Sequence, residues 1–488
     1  MKTAILTLFI AAPMLAQEGG APESFRGMVR LNRAPVSNEV LKVKLPRPVE
    51  RQLANGIKLL VMESNRTPSI SLTIQIPASP LRDPEGIPGV AEATASMMMM
   101  GTTTRSARQL AEALAEIGAQ LSFGGGGGGG GRGGGGGGGT GTGAITLNSL
   151  SEYFDQSLAI LTDVLMHPSF PADELEKWKA RQRSAIEQAR TQPAALSSEL
   201  LMKTLYPNDA RHFTRVTAEA LDKITRERLI EFYKTYYVPS GEWAGIVGEI
   251  TPRDAVAKLD KALGAWKGGP VAPLSLPIDA PIAEKKVYLI SRPGSVQTEL
   301  TLANRAIDRN STDYIACMVM NQVLGNGPAA RLFRIIREEK GYTYGVSSGF
   351  AATKYTAHFT SSMSVRTEVT EPALTDLLKE FHEIRDVPVP KEELEGAKRA
   401  MAASFAVGLE NPSNVLNRWM QHREYGLPED YWDAYTEKIA AITAEDVQRV
   451  ARKYVPYDNV QIIAVGDGAK IRELLKKFGP VVEVSTGN

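Results

Sequence analysis

Two stretches early in the chain show the hydrophobic patterns of β-strands. Residues 56–62 form a short apolar run behind Gly56, and residues 69–76 alternate strictly between polar and apolar positions. Such alternation is typical of a strand with one face on a core. The pattern therefore predicts two neighbouring strands before residue 80.

Helical periodicity follows these strands. Ser106 and Gln109 have the spacing of a capping box, which marks the start of a helix. The apolar face of this helix is formed by Leu110, Leu114, Ile117 and Leu121. Longer helices are predicted over residues 173–190 and 392–410. The expected fold class is α+β, with mainly antiparallel sheets and helices packed on one face of each.

Short motifs recur along the chain at a nearly constant offset of about 218 residues. The pairs are Pro171–Glu176 with Pro390–Glu395, Ile224–Thr225 with Ile442–Thr443, Tyr237–Pro239 with Tyr454–Pro456, and Val247–Gly248 with Val465–Gly466. The repetition predicts two similar domains, residues 46–267 and 283–488. Residues 268–282, rich in proline and without helical periodicity, are expected to link them.

Composition and charge argue against several classes of function. A chain of 488 residues exceeds what one core usually organises, which agrees with two domains. The formal net charge of +1 gives no field that favours nucleic acid or an anionic membrane. A single cysteine, Cys317, excludes an internal disulfide framework, and its apolar surroundings in the sequence indicate a buried structural thiol.

The N-terminus has the pattern of an export signal. Lys2 precedes an apolar stretch over residues 4–16, which is the length of a signal-peptide core and too short for a membrane span. We expect residues 1–16 to be a signal peptide, residues 17–45 to be an extension, and the protein to be exported, most simply to a periplasm. No later apolar run approaches 18 residues, so no membrane span is expected.

Three segments of the first domain resemble the insulinase/pitrilysin-type zinc metallopeptidases, in particular the processing peptidases. They are Asn55–Val61, Asp83–Ala91 and Gly101–Thr102, and the similarity runs from about residue 46 to residue 484. In active members of that family, the residues that follow the second segment form H-x-x-E-H. Its two histidines bind zinc and its glutamate polarises the attacking water.

In this chain the corresponding window is degenerate. Glu92 stands in place of the first histidine, Ala95 in place of the glutamate and Ser96 in place of the second histidine. The family's third ligand aligns near Ala185, with Glu187 close by. Such a set cannot form an open three-ligand zinc site, so the resemblance implies no zinc in this chain. The remaining histidines are dispersed, at His167, His212, His358, His382 and His422.

The second domain keeps a different family signature, carried by Arg292–Gln297, Leu324–Phe333 and Ile336–Ser348. Active relatives use an arginine and a tyrosine from this domain to hold substrate at the zinc, and Arg337 and Tyr344 match those positions. The same residues also fit an ordinary helix and strand. In that interpretation Arg337 pairs with Glu338 or Glu339 on a solvated face, and Tyr342 or Tyr344 packs on the sheet.

By this resemblance, the chain is expected to be the non-catalytic, substrate-binding subunit of a peptidase heterodimer. It would be inactive alone and would supply Arg337 and Tyr344 to a peptide at the H-x-x-E-H site of a zinc-bearing partner. The alternative is a purely structural or peptide-binding scaffold, as in the zinc-less core proteins of respiratory complexes.

One segment departs from the family pattern. Residues 124–143 contain 17 glycines, interrupted only by Arg132, Thr140 and Thr142, where relatives have a short turn. So many glycines cannot bury apolar surface, which predicts a mobile coil long enough to reach into a substrate chamber. A neutral repeat expansion explains the same composition.

Overall fold

The alternating pattern of residues 69–76 becomes a strand that buries every second side chain, in a computed structural model of the chain. The structure describes residues 40–125, 141–208, 216–239, 241–277, 279–355 and 357–485. The elements all belong to one compact unit, Leu41–Asn488. His212, most of the glycine tract and the N-terminal apolar stretch lie outside the described residues.

Within the described residues, the strands form two six-stranded sheets. The strands of the first sheet are β1 (Val49–Gln52), β2 (Lys58–Glu63), β3 (Ser69–Ile76), β4 (Gln120–Gly125), β5 (Gly143–Leu150) and β6 (Trp243–Gly248). Their order is β1-β2-β6-β3-β5-β4, and all neighbours are antiparallel except β2 and β6.

The second sheet repeats the order of five of these strands and differs at the edge strand, which comes from the end of the chain and is parallel to its neighbour. Its strands are β7 (Lys286–Ser291), β8 (Gln297–Arg305), β9 (Thr343–Ala352), β10 (Ala357–Arg366), β11 (Gln461–Gly466) and β12 (Val481–Glu483). The order is β12-β7-β11-β8-β10-β9, with β7 parallel to both of its neighbours. The predicted α+β class with two mainly antiparallel sheets is therefore confirmed.

The helices before the interdomain segment are α1 (Val90–Met98), α2 (Ala107–Glu116), α3 (Phe154–Met166), α4 (Ala172–Arg190), α5 (Pro193–Leu205), α6 (Ala218–Lys223), α7 (Arg226–Tyr236) and α8 (Pro252–Leu263). Those after it are α9 (Tyr314–Leu324), α10 (Thr370–Asp386), α11 (Lys391–Gly408), α12 (Pro412–Tyr425), α13 (Tyr435–Ala440), α14 (Ala444–Tyr454) and α15 (Gly468–Leu475). A π-helix, Phe333–Glu339, precedes β9.

The repeated sequence motifs occupy equivalent places in the two halves. Pro171 and Pro390 are the N-caps of α4 and α11. Thr225 and Thr443 cap α7 and α14, each accepting a hydrogen bond from a backbone N–H in the first turn of its helix. The capping box at the start of α2 is also present. The offset in sequence thus corresponds to a repeated structure.

The two halves exchange helices. Helix α5, from the first half, packs on β8 and β11 of the second sheet, while α12, from the second half, packs on β2 and β6 of the first. Helices were expected on one face of each sheet, but the other half supplies a helix to the second face. Ser197 on α5 is hydrogen bonded to Thr301 on β8 at 2.8 Å in a buried position.

The ends of the glycine tract are not coil. Gly124 and Gly125 belong to β4 and pair with Ala144 and Gly143 of β5, so the expectation of a coil over residues 124–143 is wrong at its ends. Gly143 has a packing reason to be glycine, because a Cβ there would lie 2.1 Å from the carbonyl oxygen of Ala78. Residues 126–140 lie outside the described part of the chain.

Candidate functional site

Helix α1 carries the degenerate zinc window and begins at a buried carboxylate. Both oxygens of Asp83 accept backbone hydrogen bonds of 2.7 Å, one from Gly89 and one from Ala91. Burial raises the pKa of Asp83 to about 7, although the two backbone donors oppose the rise. Asp83 thus fixes the start of α1 and the orientation of the window that follows.

The window has two side chains that reach the surface of α1. Glu92 is exposed and Ser96, one turn later, is half-buried, whereas Ala95 is only 5% exposed. The carboxylate of Glu92 accepts a hydrogen bond of 3.1 Å from the side-chain amide of Gln182 on α4. Partial desolvation raises the pKa of Glu92, and this hydrogen bond opposes the rise.

Helix α4, which carries the third ligand in active relatives, meets this window through Gln182, one turn before Ala185. Glu187 is ion-paired with Arg190 at 3.1 Å, and its position five residues after Gln182 puts it on another side of the helix. Neither Ala185 nor Glu187 is therefore paired with Glu92.

The side chains at this position do not fit a zinc ion. The donor set consists of one carboxylate, one hydroxyl and one amide, and the carboxylate is already hydrogen bonded. Catalytic zinc requires three protein ligands of the His, Cys or carboxylate type and an open position for water. In the described residues, no group of three or more His, Cys, Asp or Glu side chains is arranged to hold a metal ion.

The histidines within the described ranges have separate structural surroundings. His167 lies 3.6 Å from Asp163, and His382 lies 3.4 Å from Asp386, each one helical turn away. The other two are buried: His358 is 3.0 Å from the hydroxyl of Tyr206, and His422 is 2.8 Å from the carbonyl oxygen of Pro428.

Arg337 and Tyr344 lie side by side on the second half. Arg337 belongs to the π-helix, and its Nε donates a hydrogen bond of 3.1 Å to the carbonyl oxygen of Tyr344 at the start of β9. Its guanidinium lies 4.6 Å from the ring centre of Phe333 and 5.9 Å from that of Tyr344. Glu338 is 3.7 Å away.

Tyr344 is directed into solvent. It is 93% exposed, so it does not pack on the sheet, whereas Tyr342, the other tyrosine considered for that role, is half-buried against the core of the second half. Arg337 does make the expected contact with Glu338, while Glu339 pairs instead with Arg334 at 2.5 Å. An exposed tyrosine whose backbone is held by a neighbouring arginine can present a hydroxyl and guanidinium N–H donors to the same ligand.

Two residues of this region were not singled out from the sequence, namely Asp83 and Gln182. Asp83 had a usable signal, because an aspartate ahead of a Pro-Glu-Gly turn and a helix is a common source of backbone caps. Gln182 had no such signal in the sequence, because its contact with Glu92 depends on how α4 crosses α1.

Cys317 is buried, as expected, and burial raises the pKa of its thiol. Among the residues that the structure describes, none forms a helix long and apolar enough to cross a membrane.

The chain is similar in sequence to several proteins of the M16 peptidase family. Residues 223–401 match the model described as Peptidase M16 inactive domain. A Bacillus subtilis protein named "Uncharacterized zinc protease YmxG" is 22% identical over 413 residues, which cover 83% of this chain and 95% of the relative. A Helicobacter pylori protein named "Non-peptidase homolog YmxG" is 24% identical over 335 residues, covering 67% of this chain and 75% of the relative.

Solved structures agree with this assignment. A structure from Pseudomonas fluorescens, described as a peptidase M16 inactive domain, is 26% identical with a TM-score of 0.75, and the match covers 86% of this chain and 98% of the other. A protease structure from Helicobacter pylori is 14% identical and shows the same fold with a TM-score of 0.76. Over most of its length the chain is therefore similar to the M16, or insulinase/pitrilysin-type, peptidases, and residues 223–401 match the inactive-domain model of that family.

Proposed function

We propose that this chain is the substrate-binding subunit of an exported heterodimeric zinc metallopeptidase. The observation that carries the proposal is the pairing of Arg337 with the backbone of an almost fully exposed Tyr344. The degenerate window of Glu92, Ala95 and Ser96 means that the water-activating residues must come from elsewhere. A relative with an intact H-x-x-E-H motif would supply them, together with the zinc.

The two side chains suit complementary tasks at a peptide substrate. Nε of Arg337 is engaged with Tyr344 and Nη1 lies 3.7 Å from Glu338, so a carbonyl or carboxylate of the peptide would bind the remaining N–H groups of the guanidinium. The hydroxyl of Tyr344 can donate to the oxyanion that develops at the scissile carbonyl. Both groups stabilise bound substrate without performing proton abstraction themselves.

Export is part of the same proposal and rests on the N-terminal sequence. Lys2 and the apolar residues 4–16 have the composition of a signal peptide. A periplasmic or extracellular peptidase would meet unfolded or fragmentary peptides, which are the substrates that an enclosed two-subunit site can accept.

The test is co-expression of this chain with a secreted H-x-x-E-H relative, followed by assay with a quenched fluorogenic peptide. We expect neither chain alone to cleave the peptide and the pair to do so. Arg337→Ala and Tyr344→Phe should each lower kcat/KM of the pair by about 100-fold, the usual effect of removing one transition-state donor. Arg334→Ala is the matched control, because Arg334 lies on the same π-helix and pairs with Glu339.

Two results would contradict the proposal. Chelator-sensitive hydrolysis by this chain alone would show that it has a metal site of its own. Full activity of a pair carrying both Arg337→Ala and Tyr344→Phe would remove the role of these residues and favour the scaffold alternative.

A further inference from the structure

We infer that Thr343 is a positioning residue, whose hydroxyl locks a β-bulge and thereby aims Tyr344 at the substrate. The inference rests on the proposed function, since Tyr344 is taken as the residue that touches substrate. Thr343 itself is half-buried and acts through its neighbours.

The bulge is visible in the register of β9 and β10. Val346 lies opposite Met363, and Thr343 lies opposite Val365. Two residues of β9, Tyr344 and Gly345, therefore face the single residue between these partners on β10. A bulge of this type interrupts the alternation of side chains and redirects one of them, and bulges of this kind are frequent beside active sites.

The redirected side chain is Tyr344. Val346, two residues further along the same strand, is only 5% exposed, whereas Tyr344 is 93% exposed. In a regular strand, residues two positions apart point to the same face, so Tyr344 would face the core as Val346 does. The bulge is the reason that the tyrosine points into solvent.

The hydroxyl of Thr343 bridges the two sides of this bulge. Its oxygen lies 2.7 Å from the carbonyl oxygen of Ser364 on β10 and 2.9 Å from that of Gly345 on β9. It also accepts a hydrogen bond of 3.2 Å from the backbone N–H of Gly345. One hydroxyl thus replaces part of the ladder hydrogen bonding that the extra residue disrupts.

Arg337 holds the bulge from another direction. Its Nε donates to the carbonyl oxygen of Tyr344, so the bulged residues are fixed by Thr343 on one side and by Arg337 on the other. Loosening either contact would release the backbone of Tyr344. A displacement of about 1 Å in a group that contacts the transition state is enough to cost a large part of its catalytic effect.

The first arm of the test measures the bulge directly by hydrogen exchange in the full chain. In Thr343→Val, which keeps the shape of the side chain but has no hydroxyl, we expect exchange of the Gly345 amide to become about 3- to 10-fold faster. Thr343→Ser, which keeps the hydroxyl, should exchange like the natural chain. Thr360→Val, a substitution further along β10, is the matched control and should leave the Gly345 amide unchanged.

The second arm measures the assembled peptidase. Thr343→Val should lower kcat/KM about tenfold, mainly through kcat, and Thr343→Ser should restore it. In the Tyr344→Phe background, Thr343→Val should have little further effect, because both changes remove the same interaction.

The outcomes separate the inference from the proposed function. Unchanged Gly345 exchange in Thr343→Val would overturn the inference. So would full activity of Thr343→Val in a pair that Tyr344→Phe impairs. If Tyr344→Phe itself has no effect on activity, the proposed function is wrong and the positioning role falls with it, although the exchange data still establish whether Thr343 holds the bulge.

Discussion

Asp83 shows how one buried side chain can fix the start of a helix. Its carboxylate is 5% exposed and accepts two backbone hydrogen bonds at the start of α1. Burial raises the pKa of Asp83 to about 7, and the negative charge of the nearby Glu92 contributes to the rise. The start of α1 should therefore respond to pH near neutrality.

The sign of this response follows from linkage. Because the pKa of Asp83 is higher in the folded protein than its ordinary value of 3.8, the folded state binds the proton more tightly than the unfolded chain does. This contribution to the free energy of unfolding is complete below pH 4 and is lost as pH rises through 7. We expect urea denaturation to show a loss of about 2 kcal/mol between pH 5 and pH 8 in the natural chain relative to Asp83→Asn.

The comparison with Asp83→Asn cancels the titration of all other groups. Only the difference in pH dependence between the two chains bears on Asp83, since the amide also changes the cap itself. Parallel stability profiles from pH 5 to pH 8 would show that Asp83 is ionised throughout.

For single residues, the sequence predicted which positions form the candidate site but not the contacts between their side chains. The resemblance singled out Glu92, Ser96, Arg337 and Tyr344, and the structure places the first two on α1, Arg337 on the π-helix and Tyr344 on β9. The resemblance could not locate Gln182 against Glu92, because that contact depends on the crossing of two helices. The bulge before Val346 was also beyond reach, since it exists only in the pairing of β9 with β10.

Among the secondary-structure elements, the local signals were strong. Strict alternation predicted β3 with the bounds that the structure shows, and the capping box of Ser106 and Gln109 marks the start of α2. The sheet that each helix covers was not predictable. The apolar faces of α5 and α12 have the same periodicity whether they pack on their own half or on the other, so the exchange is a property of tertiary structure alone.

The contact of α12 with the first sheet depends on a glycine. A Cβ at Gly245 on β6 would lie 2.9 Å from the sulfur of Met420 and 3.0 Å from a methyl carbon of Leu416, both on α12. Gly245→Ala should therefore lower the free energy of unfolding by about 1–3 kcal/mol through overpacking, as measured by urea denaturation.

Gly349→Ala provides the control for this substitution. Gly349 lies in β9, and a Cβ there meets nothing within 4 Å. Both changes replace a strand glycine by alanine, so their intrinsic effects on the strand are similar. Equal stability of the two variants would mean that α12 does not approach β6 as closely as the structure shows.

On the scale of the whole molecule, the halves are joined by more than the linker. The backbone N–H of Leu45 donates to Asp433 at 3.0 Å, and the indole of Trp419 on α12 donates to the carbonyl oxygen of Pro46 at 2.8 Å. Arg47 pairs with Asp433 at 3.0 Å. The segment before β1 therefore fastens the first half to the second.

A chain cut between its halves should consequently stay assembled. With a specific protease site introduced into residues 268–277, we expect the two fragments to co-elute on size-exclusion chromatography after cleavage. Trp419→Ala, which removes a side chain that is 2% exposed from the shared core around α12, should weaken this association by about 3–5 kcal/mol. Separate elution of the natural fragments would contradict the interlocked arrangement.

The exchange of α5 and α12 also affects which substitutions the chain can tolerate during evolution. Each half completes the other's sheet, so substitutions in α12 are constrained by the strands of the opposite half, whereas Glu92 and Ser96 on α1 are outside that constraint. Substitutions at Glu92 and Ser96 can then change the chemistry of α1 without changing the fold. A hybrid built by joining this first half to the second half of a distant relative would place α12 against an unmatched surface, and we expect it to be less stable than the natural chain.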